Sequence, residues 1–438
     1  MTSSPASVGR TNVRWLICLL VFVVTTIIYS DRSFLGQLKS TLAGTPGIML
    51  TGSQFGLINS LMLGAYAIGV LFAGRVIDRV GIKNGYAVTL ALWSLAAFSH
   101  TLVTSVAGLI AARIFLGVSE AGNFPTAIKT IAQWFPAAER AFATALFNCG
   151  ANAGSIVAPA LVAWLLASGY SWHSPFFIAS VAGLAWLVTW WMAYNAPEKN
   201  TCVSAEEIAW IRRDPAQPHD SAPSVSWLGL VSHRQAWSFA VAKFLTDPVW
   251  FFLLFWLPDY FKSTRQLDIK NSWPHLMTVY AIVTVLSLIG GYVPGYLMRH
   301  GWSVTRARKT GLFCFAVLVM PILFVGSAGN WTAVVIIGLV GSAHQAWSAN
   351  LFTTVSDMFP RNSVASVIGL GTMAGAVGSM AFQYLCGYLR DSYGAANASS
   401  AYFVLFAYAA FAYLIAFGLQ HLLAPKFEPV SLKNDPRI

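Results

Sequence analysis

Long apolar runs separated by short polar breaks organise this chain from end to end. A helix rises about 1.5 Å per residue, so about 20 apolar residues cross the hydrocarbon of a bilayer. A window of that length finds twelve candidate spans, near residues 15–35, 54–76, 84–103, 106–132, 141–165, 173–194, 236–262, 276–299, 309–327, 331–357, 364–388 and 399–424. The first follows Arg10 and Arg14 as a signal peptide would. It lacks a small-residue cleavage site and runs on into Tyr29, Ser30, Asp31 and Arg32, so it reads as a retained span. The one long polar segment, residues 195–235, holds Glu198, Glu206, Glu207, Arg212, Arg213, Asp214 and several prolines. It divides the spans six and six, which predicts a bundle over 1–194, a cytoplasmic linker over 195–235 and a second bundle over 236–438. Within the linker, Ala205 to Arg213 is amphipathic and suits the membrane surface, and the segment as a whole reads as a solvated tether.

Composition excludes the soluble alternatives. Of 438 residues 56% are hydrophobic and 10% charged, whereas an average soluble domain is about 25% charged. Too few charges remain to cover a soluble surface, and disorder, collagen and coiled coil are excluded as well. The net charge of +11 invites a nucleic-acid reading until the cations are sorted by position. Eighteen fall in the breaks on the side of the amino terminus and five (Lys39, Lys262, Arg265, Lys270 and Arg390) on the other. Arg32, Arg113, Lys129 and Lys243 fall within spans. Both termini are therefore expected in the cytoplasm, and the positive excess is topology rather than the mark of a polyanionic partner. The five cysteines are scattered, with no metal or disulfide pattern, and no cofactor is expected.

The halves echo one another at an offset of 224 residues. Trp134-Phe135-Pro136 answers Met358-Phe359-Pro360, Gly154-Ser155 answers Gly378-Ser379, and Glu120 falls opposite His344. With the central linker, this predicts two parallel six-helix repeats with a ligand site between them near the midplane. Between spans two and three stands Gly74-Arg75-Val76-Ile77-Asp78-Arg79-Val80-Gly81-Ile82-Lys83. The pattern G-x-x-x-D-R-x-G-x-K at that place resembles the signature of the major facilitator superfamily. The resemblance implies an all-α polytopic membrane protein of twelve transmembrane helices in two six-helix bundles. It also implies a conformational latch at Gly74, Asp78, Arg79, Gly81 and Lys83 that holds the halves together in the outward-open state. The second-half counterpart, Gly295 to Gly301, lacks the aspartate.

Ionisable residues within the spans are few: Asp31, Arg32, Arg113, Glu120, Lys129, Lys243, Asp247 and His344. Each costs at least about 2.5–3.5 kcal/mol at a helix centre, so function is the default reading. Lys129 lies near enough to the inner surface to snorkel. Arg113 and Glu120 are two turns apart on one face, about 10 Å along the axis, and mark two levels of a cavity. Arginine keeps its proton and offers a carboxylate a planar fork, while a buried glutamate can carry a proton. Asp31 and Arg32 are adjacent and point about 100° apart. Tyr29, Tyr66, Trp250 and Trp347 can supply aromatic walls for a sugar ring.

Tyr29-Ser30-Asp31-Arg32, Arg113 with Glu120-Ala121-Gly122-Asn123-Phe124-Pro125, and Glu139-Arg140-Ala141 resemble the anion:cation symporter branch. Phe244-Leu245-Thr246-Asp247-Pro248-Val249-Trp250 and Ala343-His344-Gln345-Ala346 are similar to the bacterial hexuronate transporters. The resemblance implies proton-driven uptake of galacturonate or glucuronate across the bacterial inner membrane by a monomer. Its partners would be the organic anion, protons and the lipid bilayer, with no nucleic acid and no enzymatic activity. Asp31 and Glu120 would carry protons. Tyr29, Arg32, Tyr66, Arg113, Trp250, His344, Gln345, Trp347, Asn350 and Thr372 would line the substrate site. Where related carriers place a glutamine in span five, this chain has Ala151, leaving Asn148 or Asn152 to replace that contact. The rival readings are a carrier of another organic anion (an aldonate, aldarate or aromatic acid), a drug–proton antiporter, and a non-transporting receptor.

Overall fold

The computed structural model describes residues 11–213, 227–359 and 361–430. Arg10, Asp214, Pro360, Lys433 and Arg437, which entered the sequence patterns, lie outside them. Among the described residues the regular structure is helical: α1 Val13–Ala43, α2 Gly52–Ser99, α3 Val106–Glu120, α4 Asn123–Trp134, α5 Ala137–Ala167, α6 Ser174–Ala193, α7 Ala205–Ile211 and α8 Trp227–Val231. There follow α9 Arg234–Arg265, α10 Ile269–Arg299, α11 Val304–Val319, α12 Asn330–Met358, α13 Arg361–Tyr393 and α14 Ala398–Leu423.

Nine helices among the described residues are long and apolar enough to cross a bilayer. Three features bring nine to twelve crossings. Helix α2 has 48 residues, about 72 Å if straight, more than twice the hydrocarbon thickness. It breaks at Gly81, whose φ of 81° only glycine adopts at little cost, and so carries the second and third spans. The fourth span is divided at Ala121-Gly122 into α3 and α4, each too short to cross alone. Helix α13, with 33 residues, is long enough and packs between α9 and α2.

The internal repeat has a packing basis. In the N-terminal half α5 lies on α1, and a Cβ on Gly154 would meet the Thr26 carbonyl oxygen at 2.5 Å. In the C-terminal half α13 lies on α9, and a Cβ on Gly378 would meet the Phe244 carbonyl oxygen at 2.1 Å. Both glycines let helix backbones touch at equivalent places. Likewise Phe135 and Phe359 end α4 and α12 in the same extended conformation.

The halves meet through α1 with α9, α2 with α13 and α5 with α10. The face where α1 begins and α14 ends is called here the terminal face, and the opposite one the far face. Among the described residues, the hydrogen bonds and ion pairs that join the halves all lie on the far side of Arg32: Lys39 with Asp259, Gly52 and Ser53 with Asp391, and Ser60 with the Met380 carbonyl. Toward the terminal face, added Cβ atoms on Gly74 and Gly295 meet nothing within 4 Å. The described polar contacts between the halves are thus gathered at the far face.

The linker departs from the expected solvated tether. Glu207 of α7 is fully buried and accepts hydrogen bonds from the Val13 and Arg14 backbone N–H groups at 3.0 and 3.1 Å, and from the Thr11 hydroxyl at 2.6 Å. It also pairs with Arg14 at 3.0 Å, while Arg14 reaches Glu139 of α5 at 2.9 Å. A helix start leaves orphan N–H groups with partial positive charge, and a carboxylate satisfies both needs. Helix α7 therefore caps α1 and ties it to α5.

Candidate functional site

At mid-depth, where α1 faces the α3–α4 break, Arg32 and Glu120 form a buried ion pair. Arg32 Nε and Nη2 both donate to one carboxylate oxygen, Glu120 Oε2, the former at 2.9 Å. The guanidinium carbon lies 5.0 Å from the Tyr29 and Tyr66 ring centres and 5.9 Å from that of Phe251 of the C-terminal half. Three aromatic faces and one carboxylate thus hold the fork of a permanent cation. Of the sequence-predicted residues, Tyr29, Arg32, Tyr66 and Glu120 come together here.

Asp31 turns the other way. Both its carboxylate oxygens are buried without a hydrogen-bond partner, with Arg113 and Arg32 as the neighbouring cations. Arg113 is fully buried; Nη1 touches the Met62 sulfur at 3.7 Å, Nε and Nη2 have no partner, and the Phe176 ring lies 5.7 Å away. Trp93 Nε1 and the second carboxylate oxygen of Glu120, Oε1, are likewise buried without a hydrogen-bond partner. Sequence reasoning missed Trp93, which in a third-span aromatic run carries no distinguishing signal. Unpaired buried polar groups cost about 1–3 kcal/mol each, more when charged, so this cluster is kept against stability.

The C-terminal half contributes a second group. Trp250 stacks on His344 with ring centres 5.6 Å apart and planes 10° apart. His344 Nδ1 is 2.7 Å from the Tyr413 hydroxyl. Lys243 pairs with Asp247 at 2.8 Å, one turn along α9, with Phe352 beneath the ammonium at 4.7 Å. Other expected site residues go elsewhere. Trp347 is fully buried against Tyr413, its ring centre 5.4 Å away. Asn350 donates to the Arg308 carbonyl at 3.0 Å and accepts from its guanidinium at 3.4 Å, beside the Arg308–Asp357 ion pair. It braces the start of α11. Asn148 is exposed, Asn152 is buried with Oδ1 unpartnered, and Gln345 and Thr372 are half-buried.

Among the described residues the loop expected to be a latch makes no hydrogen bond or ion pair across the halves. Lys129 of α4 takes Asp78 in an ion pair and donates to the Gly74 carbonyl at 3.2 Å, and Lys83 donates to Asn195 at 3.0 Å. All five belong to the N-terminal side of the chain. The seal at the far face was not foreseen as a site. Lys39 of α1, counted as an outer-loop cation, is buried and pairs with Asp259 of α9 at 2.6 Å. Asp259 also accepts from the Tyr402 hydroxyl at 2.5 Å and from Arg390 at 3.3 Å. Asp391 caps α2 by accepting from Gly52 and Ser53 at 2.8 and 2.7 Å. Sequence alone placed these residues at loop edges and gave no reason to pair them.

Comparison with known proteins bears on this arrangement. A family profile described as Major Facilitator Superfamily matches residues 21–383. The chain is 30% identical over 387 residues to the hexuronate transporter of Escherichia coli (strain K12), covering 87% of this chain and 89% of that one. It is 26% identical over 404 residues to a probable galactarate/D-glucarate transporter of Bacillus subtilis (strain 168), covering 89% and 88%. Among solved structures, a bacterial homolog of the human lysosomal transporter Spinster, inward-facing and unoccupied, superposes with a TM-score of 0.74 at 15% identity, covering 96% and 98%. That likeness is one of fold.

Proposed function

We propose, on the premise that the chain belongs to the major facilitator superfamily, that this multi-pass membrane transporter imports a hexuronate such as galacturonate or glucuronate by proton symport with alternating access. The membrane is the bacterial inner membrane, the terminal face is cytoplasmic, and the carrier acts as a monomer. The relatives support a sugar acid as cargo, since the proteins this chain resembles over most of its length are named for hexuronate and galactarate/D-glucarate transport. The reading is that of a transporter rather than an enzyme.

One observation carries the mechanism: Glu120 occupies the fork of Arg32. Its carboxylate stands where the carboxylate of a sugar acid would dock, and only one of them can hold both donor nitrogens. When Glu120 takes a proton, its attraction for Arg32 falls and the fork opens to the substrate. When the proton leaves to the cytoplasm, Glu120 reclaims Arg32 and expels the anion. Proton and substrate then move together because neither neutral Glu120 without substrate nor charged Glu120 with it leaves the site balanced. Asp31 beside Arg113 serves as a second proton site, and the stacked Trp250 and His344 face the sugar ring. The same logic makes this molecule, closed at the far face with Arg32 and Glu120 joined, the inward-facing carrier after release.

The test uses proteoliposomes. Glu120→Gln cannot release a proton, so it abolishes accumulation driven by a proton gradient while counterflow exchange of galacturonate persists. Accumulation by the variant overturns the assignment. A screen of galacturonate, glucuronate, galactonate, glucarate and benzoate decides between a hexuronate and the second reading, an aldarate, which the resemblance to the galactarate/D-glucarate carrier favours.

A further inference from the structure

Helices α1 and α9 run side by side, and their contacts fall into register. Arg32 meets Phe251, an added Cβ on Gly36 would meet the Phe255 carbonyl oxygen at 2.8 Å, and Lys39 meets Asp259. Residues 32, 36 and 39 share one face of α1, so Lys39 stands about 10 Å above Arg32 toward the far face. Gly36 between them leaves no side chain in the way. The Lys39 ammonium is buried, 2.6 Å from Asp259, 4.9 Å from the Trp256 ring centre and 5.6 Å from that of Phe55.

The partners of this pair are unevenly distributed. Asp259 keeps Arg390 and the Tyr402 hydroxyl, both from its own half, whatever α1 does. Among the described residues the one acid that pairs with Lys39, Asp259, belongs to the other half. Separation of the halves at the far face therefore leaves Asp259 compensated and strips Lys39 of its anion. An uncompensated cation beside an apolar ring is costly in a narrow, partly dry mouth, and an incoming anion relieves it.

We propose that Lys39 is a substrate-binding residue of the outward-open carrier, capturing the carboxylate of the incoming sugar acid in place of Asp259 and passing it two helical turns down α1 to Arg32. The proposal rests on the anion-import reading given above. One residue then performs two tasks with one charge: it closes the far face when no substrate is present and attracts the substrate when that face opens.

Sided transport kinetics separate capture from mere closure. Right-side-out membrane vesicles report the KM at the far face and inverted vesicles the KM at the terminal face. Asp259→Asn removes the ion pair of the seal in every state and takes from Lys39 its carboxylate partner, so the outer KM falls or holds, and a rise overturns the proposal. Adding Lys39→Gln in that background raises the outer KM for galacturonate about tenfold, the loss expected for one charge-assisted hydrogen bond, with the inner KM unchanged. Asp259→Asn with Lys39→Arg retains the low outer KM, and raising ionic strength weakens it in the variants that keep the cation but not in the glutamine variant. An outer KM identical in Asp259→Asn and Asp259→Asn/Lys39→Gln overturns the proposal and leaves Lys39 a gate alone; so does an equal rise at both faces. Failure of the unmutated protein to transport any sugar acid overturns the functional reading, before any substitution is compared.

Discussion

The far-face seal depends on backbone contact, and that makes its strength adjustable by single methyl groups. A Cβ on Gly56 of α2 would lie 2.4 Å from the Gln383 carbonyl oxygen and 3.1 Å from the Gly387 Cα of α13. One on Gly387 would lie 2.4 Å from the Gly52 carbonyl oxygen. Ordinary contact begins near 3.4 Å, so Gly56→Ala forces the two helices apart by about 1 Å. Overpacking of this kind costs about 1–3 kcal/mol. The gain in helix propensity on replacing glycine is the same whether the halves are open or closed there, and it cancels. The clash exists only in the closed arrangement, so on the alternating-access reading proposed above the equilibrium moves toward the form open at the far face by about 5- to 150-fold.

Spin labels at Ala43 and Ala396, exposed on the far rim in opposite halves, read the shift as a longer distance population. Gly36→Ala, with its closest contact at 2.8 Å, should shift the population less, and Gly418→Ala, which meets nothing within 4 Å, not at all. An unchanged distance distribution for Gly56→Ala and Gly387→Ala, with both proteins folded, would refute the idea that these glycines hold the far face closed. A shift of equal size in Gly418→Ala would refute it too.

Two further outcomes follow from residues whose roles changed once the fold was known. Glu207→Ala leaves Arg14 with only one of its two carboxylates and uncaps α1; breaking a buried pair costs about 3–5 kcal/mol, seen as a lower Tm in detergent and faster trypsin cleavage at Arg212 and Arg213. A thermally unchanged variant would return α7 to the status of a tether. Asn350→Ala removes a brace on Arg308, so it lowers Tm by the equivalent of about 1–3 kcal/mol with the KM for a transported sugar acid unchanged; a raised KM at constant Tm would favour the substrate contact expected from sequence.

How far the sequence could be read depended on whether a feature is local. Twelve spans, the break at Gly81 and the matched ends at Phe135 and Phe359 are set by hydropathy and backbone conformation, and each was visible in order along the chain. The intramembrane charges were visible for the same reason, because their cost is paid wherever they sit in a span. Their pairing was not. Seven-residue spacing showed that Arg113 and Glu120 share a face, but which cation Glu120 takes depends on how α1 is rotated against α3, and Arg32 wins it. The partners of Asn350 and Trp347 were not legible because a polar or aromatic residue on an apolar helix has several neighbouring helices to choose from, and spacing does not say which. Lys39 and Asp259 were passed over because both lie at the ends of spans, where a charge costs little and so raises no suspicion. The burial of Lys39 comes from the meeting of the two halves, and on the alternating-access reading proposed above it is lost when the far face opens. Such residues carry a weak signal in the sequence for the same reason that they can act as gates: their environment belongs to one conformation, while the sequence must serve both.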